Sequence, residues 1–78
     1  MIKILLVEDA EVIRQQVKKM LEQWGYEVVL VEDFMEVLSI FVKVEPHLVL
    51  MDIGLPLFNG YHWCQEIRKV SKVPIMFL

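Results

Sequence analysis

Four short apolar segments alternate with amphipathic segments along the whole chain, and this alternation restricts the possible folds more than any other feature. The apolar segments lie near residues 2–7, 27–31, 47–52 and 73–78, and their composition is typical of β-strands. The segments between them are long enough for crossover helices. The order β-α-β-α-β-α-β predicts a parallel sheet with right-handed crossovers and helices on both faces.

Each intervening segment carries apolar residues at helical spacing. In the first, the residues at steps of three and four are Ile13, Val17, Met20, Leu21 and Trp24. Gly25 is placed to end this helix. A second helix is predicted over Phe34 to Val44, with Pro46 behind it. A third is predicted from about Gly60, with Trp63 on its inner face, so both tryptophans are expected in the core.

Length, charge and cysteine content limit the class of protein. The chain has 78 residues, enough for one small domain over residues 1–78. No apolar run approaches the roughly 18 residues of a membrane helix, and the stretch before Glu8 is too short for a signal peptide, so a cytoplasmic protein without membrane contact is expected. Cys64 is the single cysteine and excludes an internal disulfide. With a net charge of −3 and scattered Lys and Arg residues, nucleic-acid binding by this segment is not expected.

Carboxylates follow two of the predicted strands where each strand stops. Residues 4–7 lead into Glu8 and Asp9, and residues 48–51 lead into Asp52. Because the carboxyl ends of parallel strands meet at one edge, where ligands bind, these acids are expected to converge. Two like charges about 4 Å apart repel by roughly 4 kcal/mol at an effective dielectric near 20, so the cluster needs a neutralising partner. Oxygen-only ligation is the pattern that Mg²⁺ prefers.

Asp52 is the best candidate for a nucleophile. It follows a buried strand directly, so its backbone is held rigidly, and it opens a loop in which Gly54 permits close backbone approach and Pro56 stiffens the turn. A carboxylate can attack phosphorus to form an aspartyl phosphate, and Glu8 and Asp9 would supply the metal site that this step needs. Each acid also has an ordinary alternative: Asp52 could form a turn or a cap, and Glu8 with Asp9 could cap the following helix.

Taken together, these motifs resemble the receiver domain of bacterial two-component response regulators, and the resemblance covers all 78 residues. The segments that carry it are Ile4 to Asp9, Leu48 to Pro56, Asn59-Gly60, Ile67-Arg68 and Val73 to Leu78. Finer similarity, in Tyr61 to Cys64 followed by Val73 to Ile75, is to the winged-helix transcription-factor group that answers cell-envelope and peptide-antibiotic stress.

The resemblance implies an α/β fold, a flavodoxin-like (CheY-like) parallel sheet that is an incomplete (βα)3β unit with strand order 2-1-3-4. It implies that Asp52 accepts a phosphoryl group from a sensor histidine kinase in the presence of Mg²⁺. The metal would be bound directly by Asp9 and Asp52, through water by Glu8, and by the carbonyl of Gly54. Asn59 stands where the family often has Asp.

In the family, a Ser or Thr hydroxyl beyond the fourth strand and a Lys after the fifth also contact the phosphoryl group. The resemblance therefore implies that residues 1–78 are the N-terminal part of a single receiver domain, truncated after the fourth strand. Such a chain is expected to be impaired, with at most weak self-catalysed phosphoryl transfer, and not an enzyme in its own right.

The sequence also allows two other interpretations of function. The chain could be a non-catalytic, self-assembling fragment, because an unpaired apolar edge at Ile75 to Leu78 would favour a dimer or a larger oligomer. An aspartate-nucleophile phosphatase or other hydrolase has the least support, because Gly54 stands where a second acid would act as general acid.

Overall fold

The computed structural model describes all 78 residues. Four strands and three helices follow one another in the predicted order: β1 (Lys3–Val7), α1 (Glu11–Gln23), β2 (Glu27–Leu30), α2 (Val37–Val44), β3 (Leu48–Met51), α3 (Gly60–Arg68) and β4 (Ile75–Phe77). The strands form one parallel sheet in the order β2-β1-β3-β4. The predicted fold class and strand order are confirmed.

The centre of the sheet is β1, which pairs with β2 on one side and with β3 on the other. Ile4 is 1% exposed, and Leu5, Leu6 and Val7 are fully buried. Full burial of one such side chain is worth about 1.5–3 kcal/mol. The end of β1, from which the first acids project, is therefore held rigidly.

Alternate residues of the strands face two separate cores. Leu5 and Val7 belong to a cluster of 10 buried residues that includes residues of α2 and α3. Ile4 and Leu6 belong to a cluster of 4 buried residues, against which Val17 of α1 packs. None of the residues of α1 is buried. The face of the sheet under α1 is therefore more thinly covered than the face under α2 and α3.

Two of the predicted details differ from the structure. The second helix begins at Val37 rather than at Phe34, because Asp33 forms a turn in which its side chain accepts a hydrogen bond from the N–H of Met35 at 3.0 Å. Trp24 is not in the core: it is 77% exposed at the C-terminal cap of α1. The burial predicted for Trp63 is confirmed, since it is 6% exposed.

The short strand β4 lies at the edge of the sheet and pairs only with β3. Met76 is 58% exposed and Leu78 is 50% exposed. These residues therefore present apolar side chains to solvent at the edge of the sheet. None of the three helices has the length and apolar character that crossing a bilayer requires.

Candidate functional site

Three carboxylates converge at the carboxyl edge of the sheet, as the sequence predicts. The N–H of Asp52 donates a hydrogen bond to the carbonyl of Val7 at 2.8 Å, which places the end of β3 beside the end of β1. One carboxylate oxygen each from Glu8, Asp9 and Asp52 lie within 4.8 Å of one another. At this separation, the three negative charges repel one another strongly in the absence of a counter-ion.

Glu8 is the buried member of the cluster, with only 4% of its surface exposed. Burial raises the pKa of its carboxyl above the ordinary value, and the neighbouring Asp52 carboxylate acts in the same direction. The N–H of Ala10 donates to Glu8 Oε2 at 3.1 Å and opposes this shift. The charged form of Glu8 is therefore costly in this position, and a bound cation would lower that cost.

The other two acids are more open to solvent. Asp9 is exposed and Asp52 is half-buried. Asp52 Oδ1 accepts a long hydrogen bond, 3.3 Å, from the N–H of Gly54, so its side chain does help to shape the turn. The capping alternative for Glu8 and Asp9 is not supported, because the N-cap of α1 is Ala10 and no side chain caps that helix.

The loop after Asp52 is closed by the start of α3. The N–H of Gly60 donates to the carbonyl of Ile53 at 2.9 Å. A Cβ on Gly60 would clash with the Asp52 carbonyl oxygen and would lie 3.0 Å from Met51 Cγ. Sequence reasoning did not assign Gly60 a role in the site, although the Asn59-Gly60 pair is a signal for a turn. The absence of a side chain at Gly60 allows α3 to begin directly against the end of β3.

Aromatic side chains surround the loop on the side of α3 and β4. The rings of Phe58 and His62 stack with their centroids 4.3 Å apart, and Tyr61 contacts Phe77 with centroids 5.2 Å apart. Trp63 lies beneath Phe58 in an edge-on contact at 5.8 Å. The site is therefore bordered on this side by aromatic side chains, in contrast to the acidic cluster at its centre.

The acidic cluster suits a small, hard cation. Its ligands are all carboxylate oxygens, and Mg²⁺ is usually bound through one or two carboxylates together with several waters. The exposure of Asp9 leaves room for such waters on one side of the cluster. Gly54, whose carbonyl is the further ligand expected from the family resemblance, follows Asp52 in the same loop. The residues present fit a magnesium site.

Comparison with known proteins identifies close relatives of the sequence. Residues 4–78 match the family described as "Response regulator receiver domain". The response regulator protein GraR of Staphylococcus aureus is 46% identical over 76 residues, which cover 97% of this chain and 34% of GraR. The chain thus spans about a third of the length of the curated relatives that it matches.

Solved structures agree with this match. The N-terminal domain of the nisin resistance regulator NsrR, a lantibiotic response regulator, has a TM-score of 0.89 and 41% identity, over 97% of this chain and 64% of that one. A chain in the complex of histidine kinase ThkA with response regulator protein TrrA has a TM-score of 0.88 and 36% identity, over 99% of this chain and 67% of that one. The predicted similarity to regulators of peptide-antibiotic response is confirmed by the match to NsrR.

Proposed function

Because this chain belongs to the response regulator receiver domain family of two-component systems, we propose that Asp52 is its phosphoacceptor. One observation carries the proposal: the carboxylates of Glu8, Asp9 and Asp52 meet within 4.8 Å at the carboxyl edge of a parallel sheet. Of the three, Asp52 is held between the end of β3 and a loop that α3 closes. This position favours a nucleophile, because its backbone cannot move away from an incoming phosphorus.

In the proposed reaction, a carboxylate oxygen of Asp52 attacks the phosphorus of a phosphorylated histidine. A P–O bond to Asp52 forms as the P–N bond breaks, and the imidazole nitrogen keeps the electron pair of that bond. Asp52 Oδ1 accepts a hydrogen bond from the N–H of Gly54, so Oδ2 is the oxygen that we propose to attack. The buried Glu8 and the exposed Asp9 take no part in bond formation; their carboxylates would help to hold the cation that screens the phosphoryl group.

We propose Mg²⁺ as the cofactor, bound by Asp9 and Asp52 directly, by Glu8 through water and by the carbonyl of Gly54. When bound, the ion supplies positive charge that screens the phosphoryl group from the carboxylates. The raised pKa of Glu8 supports this assignment, because burial beside a second carboxylate favours either a proton or a cation at that position.

We propose a sensor histidine kinase as the phosphodonor. TrrA, a response regulator in complex with the histidine kinase ThkA, is described in one of the solved structures to which this chain is similar. Receiver domains are not classical enzymes, and only weak self-catalysed transfer from small phosphodonors is proposed here. The hydrolase alternative lacks an acid two residues after Asp52, where Gly54 stands.

The test is intact-mass spectrometry after incubation of the chain with Mg²⁺ and acetyl phosphate. We expect a phosphoryl adduct that is absent from the Asp52→Asn variant and from a sample treated with EDTA. A folded chain that forms no adduct, or an adduct that survives in Asp52→Asn, would contradict the proposal.

We also propose the extent of the domain and the cellular compartment of the protein. We assign residues 1–78 to the N-terminal part of a single receiver domain, since the similarity to GraR covers 97% of the chain without a break in fold. We place the protein in the cytoplasm, where a free thiol such as that of Cys64 stays reduced.

We propose self-association as a second candidate function of this chain. The observation that favours it is the edge strand β4, where residues 75–78 have no charged side chain and Met76 is 58% exposed. Strand edges without charged or bulged residues favour pairing with another chain. Light scattering over a dilution series should detect a dimer or a larger species that Met76→Lys disperses. A compact monomer at every concentration would contradict self-association.

A further inference from the structure

Charged side chains are divided unequally between the two edges of the sheet. The carboxyl edge carries the acids that precede and begin α1, the acids between β2 and α2, and the acid after β3: Glu8, Asp9, Glu11, Glu32, Asp33, Glu36 and Asp52. The opposite edge carries the bases at the ends of α2 and α3: Lys43, Arg68, Lys69 and Lys72. All three ion pairs join residues three or four positions apart on one helix. No ion pair therefore links the acidic edge to the basic edge.

The loop between β2 and α2 presents one large apolar side chain among the acids of the carboxyl edge. Met35 is 53% exposed, and Glu32, Asp33 and Glu36 surround it in the sequence. The backbone of this turn is ordered: the N–H of Met35 donates to Asp33 Oδ1 at 3.0 Å, and the N–H of Glu36 donates to the Asp33 carbonyl at 3.1 Å. The loop is thus an apolar projection with negative charge around it.

A groove of about 320 Å³ lies at the other end of α2, against the end of α3. Its apolar lining consists of Phe41, Val42, Pro46 and Val70. The exposed bases Lys43 and Lys72 directly follow the lining residues Val42 and Ser71 in the chain. Glu45 is the only acid in the lining, so positive charge outnumbers negative charge at the rim of the groove.

The projection and the groove complement each other in polarity and in charge, but they cannot meet within one chain. They lie at opposite ends of α2, which has 8 residues and is therefore about 12 Å long. Methionine is flexible and fills irregular apolar spaces well. A contact between two different surfaces of identical chains can repeat from one copy to the next.

We propose that a second copy of this chain inserts Met35 into the groove between the ends of α2 and α3, so that copies associate head to tail. Glu32 and Glu36 of the inserted loop then approach Lys43 and Lys72 at the rim. This contact uses a different surface from the edge of β4 and does not involve phosphorylation of Asp52. Because it is small and rimmed by charge, the association is weak and depends on salt.

The first test is sedimentation velocity of the full chain over a dilution series, at low and at high salt. The weight-average mass should rise with protein concentration up to about 1 mM, where small contacts become populated. Association should weaken by about fivefold or more between about 0.01 M and about 1 M NaCl, because salt screens the exposed charges. At low salt Met76→Lys should still associate, which separates this contact from pairing at β4.

Charge reversal at either surface tests the pairing directly. Lys72→Glu and Glu32→Lys each change an exposed residue, and each should weaken association at low salt by about fivefold or more. An equimolar mixture should associate again, because the acidic loop of the first variant can meet the basic groove of the second. Both variants keep a net negative charge, so overall attraction cannot explain this recovery. Met35→Gln, which removes the apolar contact, should weaken association at both salt concentrations.

The matched control is Lys19→Glu, which makes the same change of charge at an exposed position on α1. It should associate within about twofold of the unchanged chain, since exposed charges away from the contact contribute little. A monomer at every concentration in low salt overturns the proposal, as does association that salt does not weaken. Equal losses for Lys19→Glu and Lys72→Glu, or a mixture that stays monomeric, also overturn it. None of these readouts depends on labelling of Asp52, so their failure leaves the phosphoacceptor function untouched.

Discussion

Among single residues, Glu8 combines a carboxylate with nearly complete burial. We expect Glu8→Gln to raise the free energy of unfolding in EDTA by on the order of 1 kcal/mol, or about 4–8 °C in Tm for a domain of this size. The amide removes a buried charge and its repulsion by Asp52, and it can still accept the hydrogen bond from Ala10. Calorimetry near neutral pH measures the difference.

The control is the pH dependence of the difference in unfolding free energy between Glu8→Gln and the unchanged chain. Because the pKa of Glu8 is raised in the folded state, its contribution favours folding below the unfolded pKa and is lost as the pH rises through the folded pKa. The gap between Glu8→Gln and the unchanged chain should therefore be widest near neutral pH and should close as the pH falls. A variant that is less stable in EDTA near neutral pH would contradict the assigned burial cost.

Gly60 affects stability for a steric reason, because there is no room for a side chain at this position. We expect Gly60→Ala to lower the free energy of unfolding by about 1–3 kcal/mol, because the added Cβ would clash with the Asp52 carbonyl oxygen and press on Met51. Urea unfolding measures the loss. Gly54→Ala is the matched control in the same loop, since a Cβ there has no atom within 4 Å. Equal losses for the two variants would refute the steric explanation.

On the scale of a single helix, the N-cap of α3 stabilises the helix that closes the loop after Asp52. Asn59 Oδ1 accepts a hydrogen bond from the N–H of His62 at 3.0 Å. Asn59→Ala should cost about 1 kcal/mol of unfolding free energy, the usual effect of removing an N-cap. Asn59→Asp keeps the acceptor and should retain most of the stability. If urea unfolding gives the same loss for both variants, the side-chain cap is not what stabilises α3.

The boundaries of the helices show where sequence reasoning succeeded and where it did not. Gly25 ends α1 as predicted, with φ of 89°, because this stop depends only on local backbone freedom. The start of α2 was placed three residues too early, because the turn at Asp33 competes with the helix for the same backbone groups. Trp24 was wrongly assigned to the core because helical spacing does not reveal how far the sheet extends beneath α1.

On the scale of the whole molecule, a cation at the acidic cluster would join the ends of β1 and β3. Mg²⁺ at ten times its dissociation constant should stabilise the fold by about 1.4 kcal/mol, since it binds the folded chain and not the unfolded one. A thermal melt in millimolar MgCl2 against EDTA measures the shift. Asp9→Asn removes one exposed carboxylate of the cluster and should reduce the shift. An unchanged Tm for the folded, unmodified chain would contradict the magnesium site.

The sequence by itself determined the parallel sheet, the strand order through the family resemblance, and the convergence of Glu8, Asp9 and Asp52. The alternation of strands with helices and the position of each acid at a strand end follow from short-range patterns, because both are local properties of the chain. Only the tertiary structure decided that Glu8 is buried while Asp9 is exposed, and that Gly60 has no room for a side chain. Those properties depend on which segments pack together in the folded chain, and they are decided by contacts between residues that are distant in the sequence.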